Sequence, residues 1–92
     1  MSFSNQVAYL VRSMPSGNIR YYQINLLVNL FDEFILERIF GAEKNSRPTG
    51  VITKIYTNPE QANRAFDDVL KKKYRRGYIA KKEFFRADTR EN

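Results

Sequence analysis

The sequence predicts an α+β domain in which a curled antiparallel β-sheet of about five strands packs against one long helix. Apolar and polar residues alternate with a period of two through the first half of the chain, and a helical period begins near residue 59. The links between the early strands are short, as is usual for antiparallel neighbours. Because the chain has 92 residues, we expect a single domain over residues 1–86, followed by a frayed tail over residues 87–92.

Four strands are predicted before the helix. Residues 6–12 (QVAYLVR) alternate apolar and polar side chains, and they stop at SMPSGN, whose Pro, Ser, Gly and Asn are typical of a turn. Residues 19–28 (IRYYQINLLV) are rich in aromatic and β-branched residues, which favour strands. Residues 33–40 (EFILERIF) and 49–57 (TGVITKIYT) continue the alternation on either side of a polar loop, GAEKNSRP.

The helix is predicted from the change of period at TNPEQ. Asn58 suits the N-cap, Pro59 suits the first helical position, and Gln61 has the spacing of a capping box. Gly77 suits the residue after the helix, and residues 78–85 (YIAKKEFF) form a last strand, so the predicted order is β-β-β-β-α-β. An apolar stripe for docking on the sheet consists of Ala62, Ala65, Phe66, Val69 and Leu70.

The composition argues against catalysis and against metal or cofactor chemistry. The chain contains no cysteine and no histidine, which excludes disulfides, zinc ligation by these residues and thiol nucleophiles. Asp67 and Asp68 are adjacent on the predicted helix, and their carboxylates cannot converge. We therefore expect a protein that is not an enzyme and that uses neither a metal nor a cofactor.

No membrane segment is predicted. The N-terminus, MSFSNQVAYLV, lacks a positively charged leader followed by a long apolar run. The longest mostly apolar stretch, INLLVNLF, is too short to cross a bilayer. We therefore expect a soluble, cytoplasmic protein without a membrane partner.

Positive charge is concentrated towards the C-terminus. Residues 64–92 contain ten Lys/Arg and five Asp/Glu, whereas residues 1–63 contain six and five, within a net charge of +6. Such asymmetry is typical of a partner with phosphates, because neutralised phosphates release condensed counterions. A solvated face that keeps the protein soluble is the alternative interpretation.

Three segments, RYYQINL, LFDEFILER and NPEQANRAFDDVLKKKYRRGY, carry a family resemblance. They resemble the WGR domain, which is named for a Trp-Gly-Arg triplet and occurs in DNA-dependent poly(ADP-ribose) polymerases and in small bacterial proteins. The segments match its aromatic-Tyr-x-Ile-x-Leu strand, its approach to the triplet, and its helix with a terminal Lys/Arg-Gly-Tyr. The resemblance covers about residues 9–78. In this register Phe40 takes the Trp position, Gly41 is kept and Ala42 replaces the Arg.

The resemblance implies a nucleic-acid-binding role, with DNA favoured over RNA. In the polymerases the Trp packs on a sugar at a DNA terminus, and Phe40 can keep this stacking because any aromatic face can pack on a sugar or base. Ala42 cannot replace a guanidinium. The expected nucleic-acid-binding residues are Arg38, Phe40, Gly41, Lys44, Arg47, Lys71, Lys72, Arg75 and Arg76.

Several of these residues have a structural alternative. Phe40 can close the rim of the core, and Arg38 can pair with Glu33 or Glu43 instead of a phosphate. Gly41 is expected in a turn that needs a positive φ in either case. The basic helix end is also explained as a soluble terminus stabilised by the helix dipole.

Two residues near the helix end are assigned structural roles. Lys73 lies near the apolar stripe by helical angle, so its ammonium must snorkel to water. Tyr78 is expected at the edge of the core.

Two functions follow, and they belong to different classes. The first is a non-catalytic nucleic-acid-binding module that acts mainly through phosphate contacts. The second is a protein-interaction or assembly module, such as a homodimer, because a small sheet presents free edge strands.

Overall fold

The computed structural model describes residues 5–81, which form an open five-stranded antiparallel sheet with one helix. The strands pair in the order β4-β3-β2-β1-β5. The predicted α+β class and element order are confirmed. The elements are β1 (Gln6–Ser13), β2 (Ile19–Val28), β3 (Phe34–Ala42), β4 (Gly50–Tyr56), α1 (Pro59–Arg75) and β5 (Ile79–Ala80).

The core lies between one face of the sheet and the helix. Alternation along β1 and β2 directs Leu10, Ile24 and Leu26 to this face, and all three are fully buried. Ala62 and Phe66, from the predicted apolar stripe, are the buried residues of α1. Each large apolar side chain buried in this way stabilises the fold by about 1.5–3 kcal/mol.

The helix begins as the sequence predicts. Asn58 is the N-cap, and its Oδ1 accepts hydrogen bonds from the backbone N–H groups of Glu60 (2.8 Å) and Gln61 (3.1 Å). Pro59 occupies the first helical position, where its missing N–H leaves no donor unpaired. This cap fixes where α1 starts and hence which residues face the sheet.

The helix ends at a glycine, also as predicted. Gly77 has a φ of 97°, which favours glycine. Its N–H donates to the carbonyl of Tyr74 (3.0 Å), and the N–H of Tyr78 donates to the carbonyl of Lys73 (3.1 Å), the paired bonds of a Schellman ending. Backbone donors therefore satisfy these carbonyls, and the basic side chains nearby are not needed as caps.

Strand β3 is longer than predicted, and the expected turn at Gly41 is wrong. The strand continues past residues 33–40 to Ala42, so Gly41 lies inside it and does not have a positive φ. A Cβ at Gly41 would lie 2.9 Å from the Thr49 nitrogen and 3.2 Å from the Tyr21 Oη. Glycine is needed there because the following loop folds back onto the strand.

The other boundaries agree closely where they can be compared. Strand β4 differs from the predicted residues 49–57 by one residue at each end. Of the predicted last strand, residues 79–80 are paired with β1, whereas residues 82–85 and the tail at 87–92 lie outside the described residues. No helix within residues 5–81 combines the length and apolar character needed to cross a bilayer.

Candidate functional site

A cleft of about 620 Å³ lies at one end of the helix-covered face, between the last turn of α1 and the adjoining ends of the strands. Five cationic side chains, three aromatic rings and two apolar side chains line it, and no carboxylate does. We call it the cationic cleft. Its residues are Arg12, Arg20, Arg38, Lys73, Arg76, Tyr22, Phe40, Tyr78, Met14 and Ile52.

The strands direct three of the cations to the helix-covered face. Arg12 follows the buried Leu10 by two residues on β1 and therefore shares its face. Arg20 on β2 lies directly opposite Arg12, and Arg38 on β3 lies opposite Ile24. The same alternation that builds the core thus sets Arg12 and Arg20 side by side at its end, and sets Arg38 on the same face but level with Ile24.

The helix supplies the fourth and fifth cations. Lys73 follows Phe66 by two helical turns, so it continues the apolar stripe over the sheet. Its Nζ lies 4.2 Å from the centroid of the Tyr22 ring and 5.9 Å from that of Tyr78. Cation–π attraction of this kind holds the ammonium in the cleft. Arg76 follows three residues later at the C-cap.

Lys73 is the cation most affected by its surroundings. Burial lowers the pKa of Lys73 from its ordinary value, and the positive charges of Arg76, Arg38 and Lys72 lower it further. Both causes act against the protonated form. An anion in the cleft would relieve the second cause.

The three aromatic rings form the floor of the cleft. The Tyr22 and Phe40 rings are stacked, with centroids 5.2 Å apart and an interplanar angle of 10°, and Tyr78 meets Tyr22 edge-on at 6.0 Å. Phe40 also lies over Gly50, where a Cβ would be 2.6 Å from its Cζ. Phe40 is therefore both packed against the core, as the structural alternative expected, and part of the cleft wall.

Arg38 does not form the alternative ion pair with Glu33 or Glu43. Its Nη1 donates a hydrogen bond to the Tyr22 Oη at 3.3 Å. Glu33 instead accepts from the Asn29 side chain, and Glu43 pairs with Lys81 at 3.7 Å. Among residues 5–81, the Lys81–Glu43 pair is the single ion pair with a nitrogen–oxygen distance below 4.0 Å. None of the five cleft cations therefore has a carboxylate partner within that distance.

Unpaired like charges make the cleft unfavourable for the fold and favourable for an anion. Arg12 directly opposite Arg20 is a like-charge cross-strand pair, which destabilises a sheet. Guanidinium groups bind phosphate oxygens through two parallel hydrogen bonds. Of the three aromatic rings, Tyr22 and Tyr78 are buried, and Phe40 is the half-buried ring that a sugar or base could reach. In the part of the chain that the structure describes, no group of three acidic side chains is close enough to hold a metal ion.

Four of the nine residues predicted from sequence lie in or next to the cleft. Arg38, Phe40 and Arg76 line it. Lys72 lines a neighbouring groove of about 300 Å³, which shares Arg38 and Ile52 with the cleft. This groove contains Lys54 and Lys72 but also the carboxylate of Asp68, so the positive charge beyond the cleft is partly offset.

The other five predicted residues lie elsewhere. Lys44 lines a separate shallow groove that also contains Glu43. Gly41 is buried in β3, and Arg47, Lys71 and Arg75 are exposed and do not line the cleft. Density of charge along the chain was thus a poor guide to which cations converge.

Sequence reasoning missed Arg12, Arg20, Tyr22 and Tyr78 as cleft residues and assigned Lys73 only a snorkelling role. A signal for them was present in the alternation. Arg12 and Arg20 occupy core-facing positions of their strands, and Lys73 continues the helix stripe. Cations on the core-facing side of several elements indicate a site better than a basic run does.

Comparisons with known proteins give no further guidance on function. Models of protein families, curated proteins and solved structures were compared with this chain, and none matches it. The functional argument therefore depends on the geometry and charge of the cationic cleft and on the sequence.

Proposed function

We propose that this chain is a non-catalytic nucleic-acid-binding module that holds the phosphate backbone of DNA in the cationic cleft. One observation carries the proposal: five cations from three strands and the helix end converge without a carboxylate within 4.0 Å among residues 5–81. Such a cluster lowers stability unless an anion neutralises it. Phosphate is the anion that guanidinium forks fit best.

A polymer of phosphates fits the charge distribution better than a single small anion. The groove beside the cleft adds Lys72 and Lys54 and contains one carboxylate, Asp68, so cations still outnumber carboxylates along it. The cleft also has an aromatic floor, which suits the sugars and bases between phosphates. Contacts of this kind position a nucleic acid with little reading of its sequence.

The resemblance to the WGR domain supports DNA as the partner. Phe40 takes the position of the Trp in the triplet and lines the cleft. Ala42 stands where the family has Arg, but Arg20 lies directly opposite Ala42 on β2. A guanidinium from the neighbouring strand therefore comes close to the position of the missing one. As part of the same proposal, we assign the chain to the WGR family and to the cytoplasm.

The test is a titration of fluorescently labelled duplex, nicked and single-stranded oligonucleotides, followed by anisotropy at about 50 mM and about 200 mM salt. We expect binding at the lower salt and a steep loss at the higher. The variant Arg38→Gln/Lys73→Gln should weaken binding at least about tenfold, because each charge-assisted hydrogen bond contributes about 1.5–3 kcal/mol.

The matched control is Lys71→Gln/Arg75→Gln, which removes the same two charge types from exposed positions outside the cleft. It should weaken binding much less. Equal losses in the two variants would show that net charge, and not the cleft, attracts the DNA. Absence of binding to every oligonucleotide at low salt would remove the proposed function. Urea midpoints of both variants verify that they are folded.

A further inference from the structure

Strand β4 forms an edge of the sheet, since β3 lies on only one side of it. Within residues 5–81, the backbone N–H and C=O groups on its other side have no strand neighbour. Such an edge is a template for pairing with a further strand. Natural sheets usually protect it with charges, prolines or short length.

This edge has little of that protection. β4 has seven residues, no proline and a single charged side chain, Lys54. Val51 and Ile55 point away from the helix and are 54% and 56% exposed. They lie directly opposite Ile39 and Ile35 on β3. On the face away from the helix, an apolar surface therefore extends to the edge of the sheet and is exposed to solvent there.

We propose that β4 pairs with β4 of a second copy of this chain, antiparallel and centred on Thr53, so that two sheets join into one. Thr53 is the middle residue of Gly50–Tyr56, and this register therefore pairs every residue of the strand. It sets Val51 opposite Ile55 of the second copy and Thr53 opposite Thr53. Cross-strand pairs of β-branched residues stabilise antiparallel sheets.

Charge is compatible with the same register. Centring on Thr53 sets Lys54 opposite Ile52 of the second copy, so no two charges face each other. Centring on Lys54 would oppose two ammonium groups, which is destabilising. The edge is thus complementary to itself in the register that pairs all seven residues, as a two-fold symmetric interface requires. This self-complementarity is why a second copy, rather than a different protein, is the partner.

The proposed dimer has a consequence for the cationic cleft. Paired residues keep their faces in a continuous sheet, so the two-fold axis is perpendicular to it and both helices lie on the same side. Ile52 lines the cleft, and Lys54 of the second copy would lie beside it. The dimer would therefore present two clefts to one ligand, each with an added cation at its rim. Only this consequence depends on the proposed function.

The test uses single cysteines, because the chain contains none of its own. Directly opposed Cα atoms in an antiparallel sheet are about 4.5–5.5 Å apart, within the range of a disulfide. We expect Thr53→Cys to form a disulfide-linked dimer on mild oxidation. Val51→Cys and Ile55→Cys should not do so alone, because identical residues would be about 13 Å apart. A mixture of these two variants should cross-link.

The matched control is Ile79→Cys, at an equally exposed apolar position near the opposite edge of the sheet. Sedimentation velocity of the unmodified chain, free of nucleic acid and at high salt, should give a dimer that Ile55→Lys converts to a monomer. High salt screens repulsion between two basic chains and releases DNA, so this result does not depend on the proposed function.

Two results would overturn the inference. The first is a monomer at every concentration together with cross-linking of Thr53→Cys no faster than that of Ile79→Cys. The second is efficient cross-linking of Val51→Cys with itself, which would reject the register. Loss of DNA binding with the dimer intact would reject the proposed function alone.

Discussion

The helix-covered face of the sheet contains two regions that the same strands build differently. At its centre, Leu10, Ile24 and Leu26 are fully buried. At its end, two residues further along β1 and four residues back along β2, the positions on the same face carry Arg12 and Arg20. The strand period thus decides which side chains face the helix. How far the helix covers the sheet decides whether those side chains are buried in the core or accessible to solvent.

The two regions differ in what they contribute. The apolar centre stabilises the fold by removing side chains from water. The cationic cleft sets Arg12 against Arg20 and lowers the pKa of Lys73 by burial and by neighbouring positive charges, and both arrangements disfavour the folded state. The proposed function would account for a region that lowers stability within a small domain. Removing an apolar side chain from the centre should therefore lower the free energy of unfolding, whereas removing a positive charge from the cleft should relieve an unfavourable contribution to it.

The largest effect on stability is expected at the apolar centre. Ile24→Ala removes a fully buried side chain and should lower the free energy of unfolding by about 2–5 kcal/mol, because a cavity remains. Urea unfolding followed by circular dichroism measures this loss. Leu30→Ala, at a side chain that is 97% exposed, should change the free energy by less than about 0.5 kcal/mol. Similar losses in both variants would contradict the assignment of the core.

A smaller effect is expected where the two regions meet. Gly50→Ala adds a Cβ 2.6 Å from the Phe40 Cζ, so the ring must move away from its stacked position on Tyr22. Overpacking of this kind costs about 1–3 kcal/mol. The control is the same substitution in a Phe40→Ala background, where the cost should largely disappear. An equal cost in both backgrounds would assign the effect to the backbone of β4 instead of the Phe40 ring.

Much of the fold could be predicted because its signals are local. The N-cap at Asn58, the proline after it and the glycine at position 77 each specify a backbone conformation within a few residues. Alternation along β2 likewise gave the strand bounds found in the structure. The end of β3 was misjudged because Gly41 is required by a contact with Thr49, which depends on how the loop returns.

The cleft could be predicted only in part because it depends on strand register and on where the end of the helix lies on the sheet. The place of Phe40 over Gly50, and of Arg12 opposite Arg20, follows from the register of two hairpins, which alternation alone does not specify. An ion pair with Glu33 or Glu43 was one alternative for Arg38, but its guanidinium donates to Tyr22 on the adjacent strand instead. Counting charges along the chain favoured Lys71 and Arg75, which lie outside the cleft.

The smallest expected effect concerns the pH dependence that the cleft gives to stability. The folded state lowers the pKa of Lys73, chiefly by burial and then by the charges of Arg76, Arg38 and Lys72. As pH rises towards the ordinary lysine pKa of about 10.4, the folded state loses this proton first, and the unfolded state holds more protons. The contribution of Lys73 to the free energy of unfolding therefore increases with pH.

Comparison of the wild type with Lys73→Met measures this contribution, because the variant lacks the ammonium group. Urea unfolding from about pH 7 to about pH 10 should give a difference, wild type minus variant, that shifts in favour of the wild type as pH rises. Lys71→Met, at an exposed position outside the cleft, controls for the loss of one charge. A difference that is constant with pH, or that shifts towards the variant, would mean that the cleft does not disfavour the protonated form of Lys73. The electrostatic contrast between the two regions would then be weaker than the geometry indicates.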